Sequence, residues 1–128
     1  MKNITIIASE SDNGFDYCTT EFNGEIEETG YTLYHYYDQI EKISRLTAGG
    51  NYRSLWANEN EIEVYDDDRG TVEDYYDLMD IGYETGVEHI YTYINGEWMV
   101  TNRDQDGTYK PFINLKEFFA GQPFHRGN

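Results

Sequence analysis

A chain of 128 residues with 25 Asp and Glu against 9 Lys and Arg carries a formal charge of −16, far beyond the magnitude of about 2–8 that suits a small domain. Such a charge excludes direct binding to nucleic acid or to an anionic membrane, because every phosphate contact needs a cation. An aromatic content of 16%, with 13 Tyr and only 2 Pro, argues against the disordered class of acidic chains, and the lone Cys18 excludes an internal disulfide or a cysteine-based zinc site.

The length suits one domain, expected over residues 1–123, with 124–128 as a loose C-terminal tail. The start has a short apolar run followed at once by Glu10 and Asp12, which suits a strand and not a secretion signal. No stretch approaches the roughly 18 apolar residues of a membrane span. A cytoplasmic location is the expectation.

Residues 3–9 and 15–22 are predicted strands around the turn cluster Ser11-Asp12-Asn13-Gly14. Glu25 to Gly30 is expected to be an acidic loop. Thr32 is the expected N-cap of a helix over 33–47, in which Leu33, Tyr36 or Tyr37, Ile40, Ile43 and Leu46 keep helical spacing. Gly49-Gly50 stops it. Strands near 52–57 and 60–66 follow, then the charged turn Asp66-Asp67-Asp68-Arg69-Gly70. A second helix is expected over 72–82, capped by Thr71.

Asn95-Gly96 is the strongest hairpin signal in the chain, between strands at 88–94 and 97–102. After an extended segment at 108–113, Asn114 with Glu117 marks the start of a short helix over 115–120. The order ββα-ββα-βββα predicts an α+β single domain: an antiparallel twisted sheet, two main helices and a short C-terminal helix, with the helices against one face.

Chemistry is sought first on the second helix. At 100° per residue, Glu73, Asp77, Asp80 and Glu84 share a narrow stripe with no lysine partner four residues on. Val72, Tyr76, Met79 and Tyr83 share another, widened by Tyr75 and Leu78, and are expected to dock on the sheet. Asp66, Asp67 and Asp68 extend the acidic run on one side, and Glu25, Glu27 and Glu28 form a second cluster. A bland reading makes these a solvated surface. The sharper one makes them a binding surface for a cationic partner.

The segment Asn102 to Tyr109 resembles the front half of an EF-hand calcium loop, with oxygen ligands at positions 1, 3 and 5 and Gly at 6. Position 12, however, is Ile113 where a bidentate Glu is needed, and a strand precedes it, so a plain turn is the better expectation. His35, His89 and His125 lack ligand spacing. His35 is expected to pack among tyrosines and His89 to lie on a strand surface. Cys18 suits a buried small hydrophobe. No phosphate loop, nucleophile elbow or dinucleotide fingerprint is present. No cofactor, metal or enzymatic activity is expected.

In size and charge the chain resembles small acidic anti-restriction and anti-CRISPR proteins of phages and plasmids. That resemblance is one of composition, without a shared motif. It implies a protein that presents carboxylates where a nucleic-acid-binding protein expects phosphates. The expected partner is a basic nucleic-acid-binding protein, without direct nucleic-acid or membrane contact; a homodimer would lengthen the charged surface. The competing readings are an immunity protein or antitoxin against one cationic toxin, and an acidic accessory protein with no inhibitory role.

Overall fold

A computed structural model describes residues 5–12, 14–20, 25–48, 51–52, 64–66 and 70–120. The α+β class holds, built on one sheet. Its centre is β1 (Thr5–Ser11), whose first five residues are all buried. β1 pairs antiparallel with β2 (Gly14–Thr20) on one side. On the other it runs parallel to β6 (His89–Ile94). A central strand covered on both faces has no use for alternation, which is why Ile6, Ile7 and Ala8 form a continuous apolar run.

The sheet order is β4-β3-β2-β1-β6-β7-β8, with β5 (Gly70–Val72) paired to β2 beside that path. β3 is Asn51–Tyr52, β4 is Val64–Asp66, β7 is Glu97–Asn102 and β8 is Ile113–Asn114. β6 and β7 form the expected hairpin, with Asn95 at φ 54 and Gly96 at φ 79. Most pairings are antiparallel. The sheet is nevertheless mixed, because β2–β3 is parallel as well as β1–β6.

The long first helix is broken, and it begins earlier than expected. Residues Ile26–Gly30 form a π-helical turn that runs directly into α1 (Tyr31–Tyr36), and α2 (Ile40–Ala48) follows after a gap. Thr32 is therefore inside the helical run: its hydroxyl donates to the Glu28 carbonyl at 3.0 Å and caps nothing. At the break, the Trp98 indole N–H donates to the Tyr37 carbonyl at 2.8 Å, and Lys42 Nζ donates to the Tyr36 carbonyl at 2.7 Å. Those two donors satisfy acceptors that a continuous helix would have used.

The second helix, by contrast, starts later than expected. α3 runs Tyr75–Thr85. Thr71 lies in β5, and its hydroxyl donates to Asp16 Oδ1 at 3.2 Å. The N-cap is Asp74, whose Oδ1 accepts from the Asp77 amide at 2.9 Å. Gly82 does not end the helix; Gly86 does, in the left-handed conformation at φ 72. Gly82 is where α3 approaches the sheet, since a Cβ there would lie 2.6 Å from Ile90 Cδ1.

Helices cover both faces of the sheet, not one. Ile7, Cys18, Tyr91, Trp98 and Val100 pack with Leu33, Tyr37, Ile43, Leu46 and Leu115 under α1, α2 and α4 (Leu115–Ala120). Ile6, Ala8, Phe15 and Ile90 pack with Leu78 and Val87 under α3. α4 begins as expected: the Glu117 amide donates to Asn114 Oδ1 at 3.2 Å. The extended segment near 108–113 reduces to a bridge between Arg103 and Tyr109 and to β8. The predicted strand residues 53–57 and 60–63 and the tail 124–128 lie outside the described residues.

Candidate functional site: the acidic face of helix α3

The helix sets which side chains meet water. Leu78 and Gly82 are buried, Ile81 and Met79 are half-buried, and Tyr76, Asp80, Tyr83 and Glu84 are exposed. Tyr76 is 75% exposed and Tyr83 48%, so the expected docking of these two tyrosines on the sheet is wrong. The inward line passes through Gly82, which has no side chain for a hydrophobic pattern to register. The outer face is consequently a mixture of tyrosines and carboxylates. Tyr83 packs edge-on against Tyr109 at 5.0 Å, and Tyr75 against Phe112 at 5.7 Å.

The predicted acidic residues divide into groups. Asp80 and Glu84 are exposed on α3, Glu73 is exposed just before it, and Asp77 is half-buried. Glu73 therefore flanks the stripe and is not part of it. Asp66 closes β4, while Asp67 and Asp68 lie outside the described residues. Glu25, Glu27 and Glu28 are exposed, on or beside the π-helical turn and not on a loop. That turn packs through Ile26 on the sheet face opposite α3, so the two clusters do not form one patch.

The sequence carries a further signal for this face in the run of one charge sign. From Gly70 to Asn102 there are seven carboxylates and no lysine or arginine. This segment builds β5, α3, β6 and β7. The cation that follows, Arg103, turns to backbone carbonyls: Nη1 donates to Gly86 at 3.1 Å and Nε to Gly107 at 3.4 Å. In doing so it ties the end of α3 to the 104–107 turn.

Three phenols on this side of the sheet are shifted upward. Burial raises the Tyr17 phenol above its ordinary value, and the Glu84 carboxylate adds to the shift. Burial likewise raises Tyr75, with further contributions from Tyr76 and Tyr83. Tyr109 is raised by burial against the opposing charge of Arg103. Its hydroxyl lies 2.6 Å from the Val87 carbonyl and 3.0 Å from that of Gly82.

The remaining candidates lie apart from this face. Cys18 is fully buried, and burial pushes its thiol well above the ordinary range, the opposite of what a nucleophile needs. His35 lies among Tyr31, Tyr34 and Phe119. His89 is half-buried, not a free strand-surface residue. Burial lowers its imidazole, against the pull of Glu88, Glu25 and Glu27. Among the described residues, no three His, Cys, Asp or Glu side chains are grouped to hold a metal ion. In the EF-hand-like turn, Asp106 Oδ1 accepts from both the amide and the hydroxyl of Thr108, at 3.1 and 2.7 Å. Those bonds hold the Asp106 carboxyl below its usual value.

Comparison with known protein families, characterised proteins and solved structures finds no match. Among the described residues, no helix is long and apolar enough to cross a membrane.

Proposed function

We propose that this protein is an inhibitor that acts by occlusion: its acidic face takes the place of a nucleic-acid backbone in the basic groove of a nuclease or other nucleic-acid-binding protein of a defence system. It works without catalysis, cofactor or metal, in the cytoplasm where such machines operate. The observation that supports this reading is the outer face of α3. It carries Asp80 and Glu84 with Glu73 alongside, and no lysine or arginine occurs from residue 70 to 102. Solubility alone calls for interspersed charge of both signs. A surface of one sign steers a partner of the other and speeds their encounter. The exposed rings of Tyr76 and Tyr83 add rigid contact area with polar tips, the kind of residue enriched in protein interfaces.

The test is competition. Basic nucleases and RNA-guided effector complexes are titrated with the protein while binding of labelled nucleic acid is followed at rising salt. Displacement that weakens steeply with salt, and that is lost when Asp80 and Glu84 are both changed to Lys, is the expected result. Displacement indifferent to salt and to that double change would refute occlusion by charge.

A further inference from the structure

Next to the acidic face lies an apolar groove that the charge reading does not use. On the α3 side of β6 and β7, a cavity of about 360 Å³ is lined by Tyr75, Thr92, Ile94, Asn95, Glu97, Met99 and Phe112. A second, more open hollow shares Met99 and Phe112 and continues over Ile113 to Glu117 and Phe118. Ile113 is 41% exposed on the edge strand. Thr92 is fully buried, and its hydroxyl has no hydrogen-bond partner among the described residues. The groove is continuous with the proposed contact face, because Tyr75 both lines it and begins α3.

Two properties define what fits. The walls combine aromatic, aliphatic and thioether groups with the neutral polar side chains of Thr92, Asn95 and Asn114, and methionine adapts to irregular shapes. Among the described residues, the charged liners are the carboxylates Glu97 and Glu117, and no described liner is a cation. An anionic ligand is therefore repelled, and an apolar group flanked by cations is favoured.

We infer that the groove receives an aromatic or long aliphatic side chain from a basic segment of the partner protein, whose neighbouring arginines or lysines meet Glu97, Glu117 and the α3 carboxylates. This rests on the proposed function and sharpens it: the partner must offer an apolar anchor as well as positive charge. Interfaces concentrate binding energy in a few such buried anchors, whereas rim charges chiefly set the association rate. A nucleic-acid groove with basic residues and no apolar projection is thus a poor target.

The probe is a pair of synthetic arginine-rich peptides, identical except for one central Phe in the first and Ala in the second, titrated calorimetrically into the full chain. The Phe peptide is expected to bind about tenfold more tightly, equal to about 1.4 kcal/mol, and to keep that margin at high salt, with a more negative heat-capacity change. Amide signals of Ile94, Met99 and Ile113 should move further with the Phe peptide than with the Ala peptide. Equal affinities, or a margin whose signals map elsewhere, would overturn the inference. Met99→Ala should shrink the margin; if that variant fails to fold, the two peptides on the unaltered chain still decide. Phe124→Ala in the full chain addresses a rival occupant. If it raises the affinity for the Phe peptide, the groove belongs to the chain's own C-terminal segment and the inference falls. The charge reading fails differently: reversing Asp80 and Glu84 would then leave the affinity of both peptides unchanged.

Discussion

Replacing Glu84 by Lys separates the stability of the fold from the use of its surface. Glu84 is exposed in the last turn of α3, a turn that itself holds no basic residue, and the one cation at this helix end among the described contacts is Arg103 on the Gly86 carbonyl. A carboxylate at the negative end of a helix dipole is disfavoured by about 0.3–1 kcal/mol. Asp80 stands one turn back, and two like charges at that spacing cost a further few tenths of a kcal/mol. Glu84→Lys reverses both effects and places acid before base in the better orientation. With exposure discounted, the net gain is about 1 kcal/mol at low salt, or about 3–5 °C in melting temperature for a domain of this size. Urea unfolding, followed through the buried Trp98, measures it. Because the screening length falls from about 10 Å at 0.1 M salt to about 3 Å at 1 M, the gain should shrink as salt is added. Removing the carboxylate should also lower the Tyr17 phenol in an alkaline absorbance titration, since Glu84 contributes to its upward shift. The same change should weaken partner binding. A variant no more stable than the parent at low salt would refute the electrostatic account of α3.

Two other predictions concern the scaffold. Gly14→Ala should cost more than about 3 kcal/mol or abolish folding, because Gly14 has φ +138 and a Cβ there would overlap the Val72 carbonyl oxygen and lie 2.8 Å from that of Glu73; a parent-like denaturation midpoint would show that β2 and β5 do not meet this closely. His89 gives a pH dependence with a defined sign. Its folded-state pKa lies below the ordinary 6.5, so as pH falls the unfolded chain takes up this proton first, and the stability His89 allows is lost below about pH 6.5. His89→Gln should remove that component; parallel stability curves for parent and variant between about pH 5 and 7 would contradict it.

How much of this could be read from the sequence depended on whether the deciding interaction was local. The β6–β7 hairpin follows from Asn95-Gly96, and α4 from Asn114 three residues ahead of Glu117, so both were legible. The break at Tyr37 was not, because its carbonyl is satisfied by Trp98, 61 residues away in sequence. α3 was misphased for a related reason. A helix over 72–82 ends at Gly82, yet Gly82 marks close packing against Ile90, and Asp74 outcompetes Thr71 as the cap because Thr71 is engaged in a strand with Asp16. The carboxylates were legible as a set, but their grouping was not. A sequence does not show that helices cover both faces of the sheet, and this is what parts Glu25, Glu27 and Glu28 from Asp80 and Glu84.

That separation constrains the mechanism. A charge of −16 cannot enter a core formed on both sides of β1, so the described carboxylates lie on outer helical faces, at strand ends and in turns. A flat basic surface of a partner can reach the α3 face or the π-helical turn, but not both. A cleft that closes around the sheet can reach both. Nucleic-acid duplexes present phosphates on all sides, and proteins that enclose them offer such clefts. Reversing Asp80 and Glu84 in one variant, and Glu27 and Glu28 in another, distinguishes the two geometries. With an enclosing partner both variants lose affinity, and the double variant loses roughly the sum, as expected for distant sites. With a flat partner only the α3 variant is impaired, and the charge on the turn serves solubility.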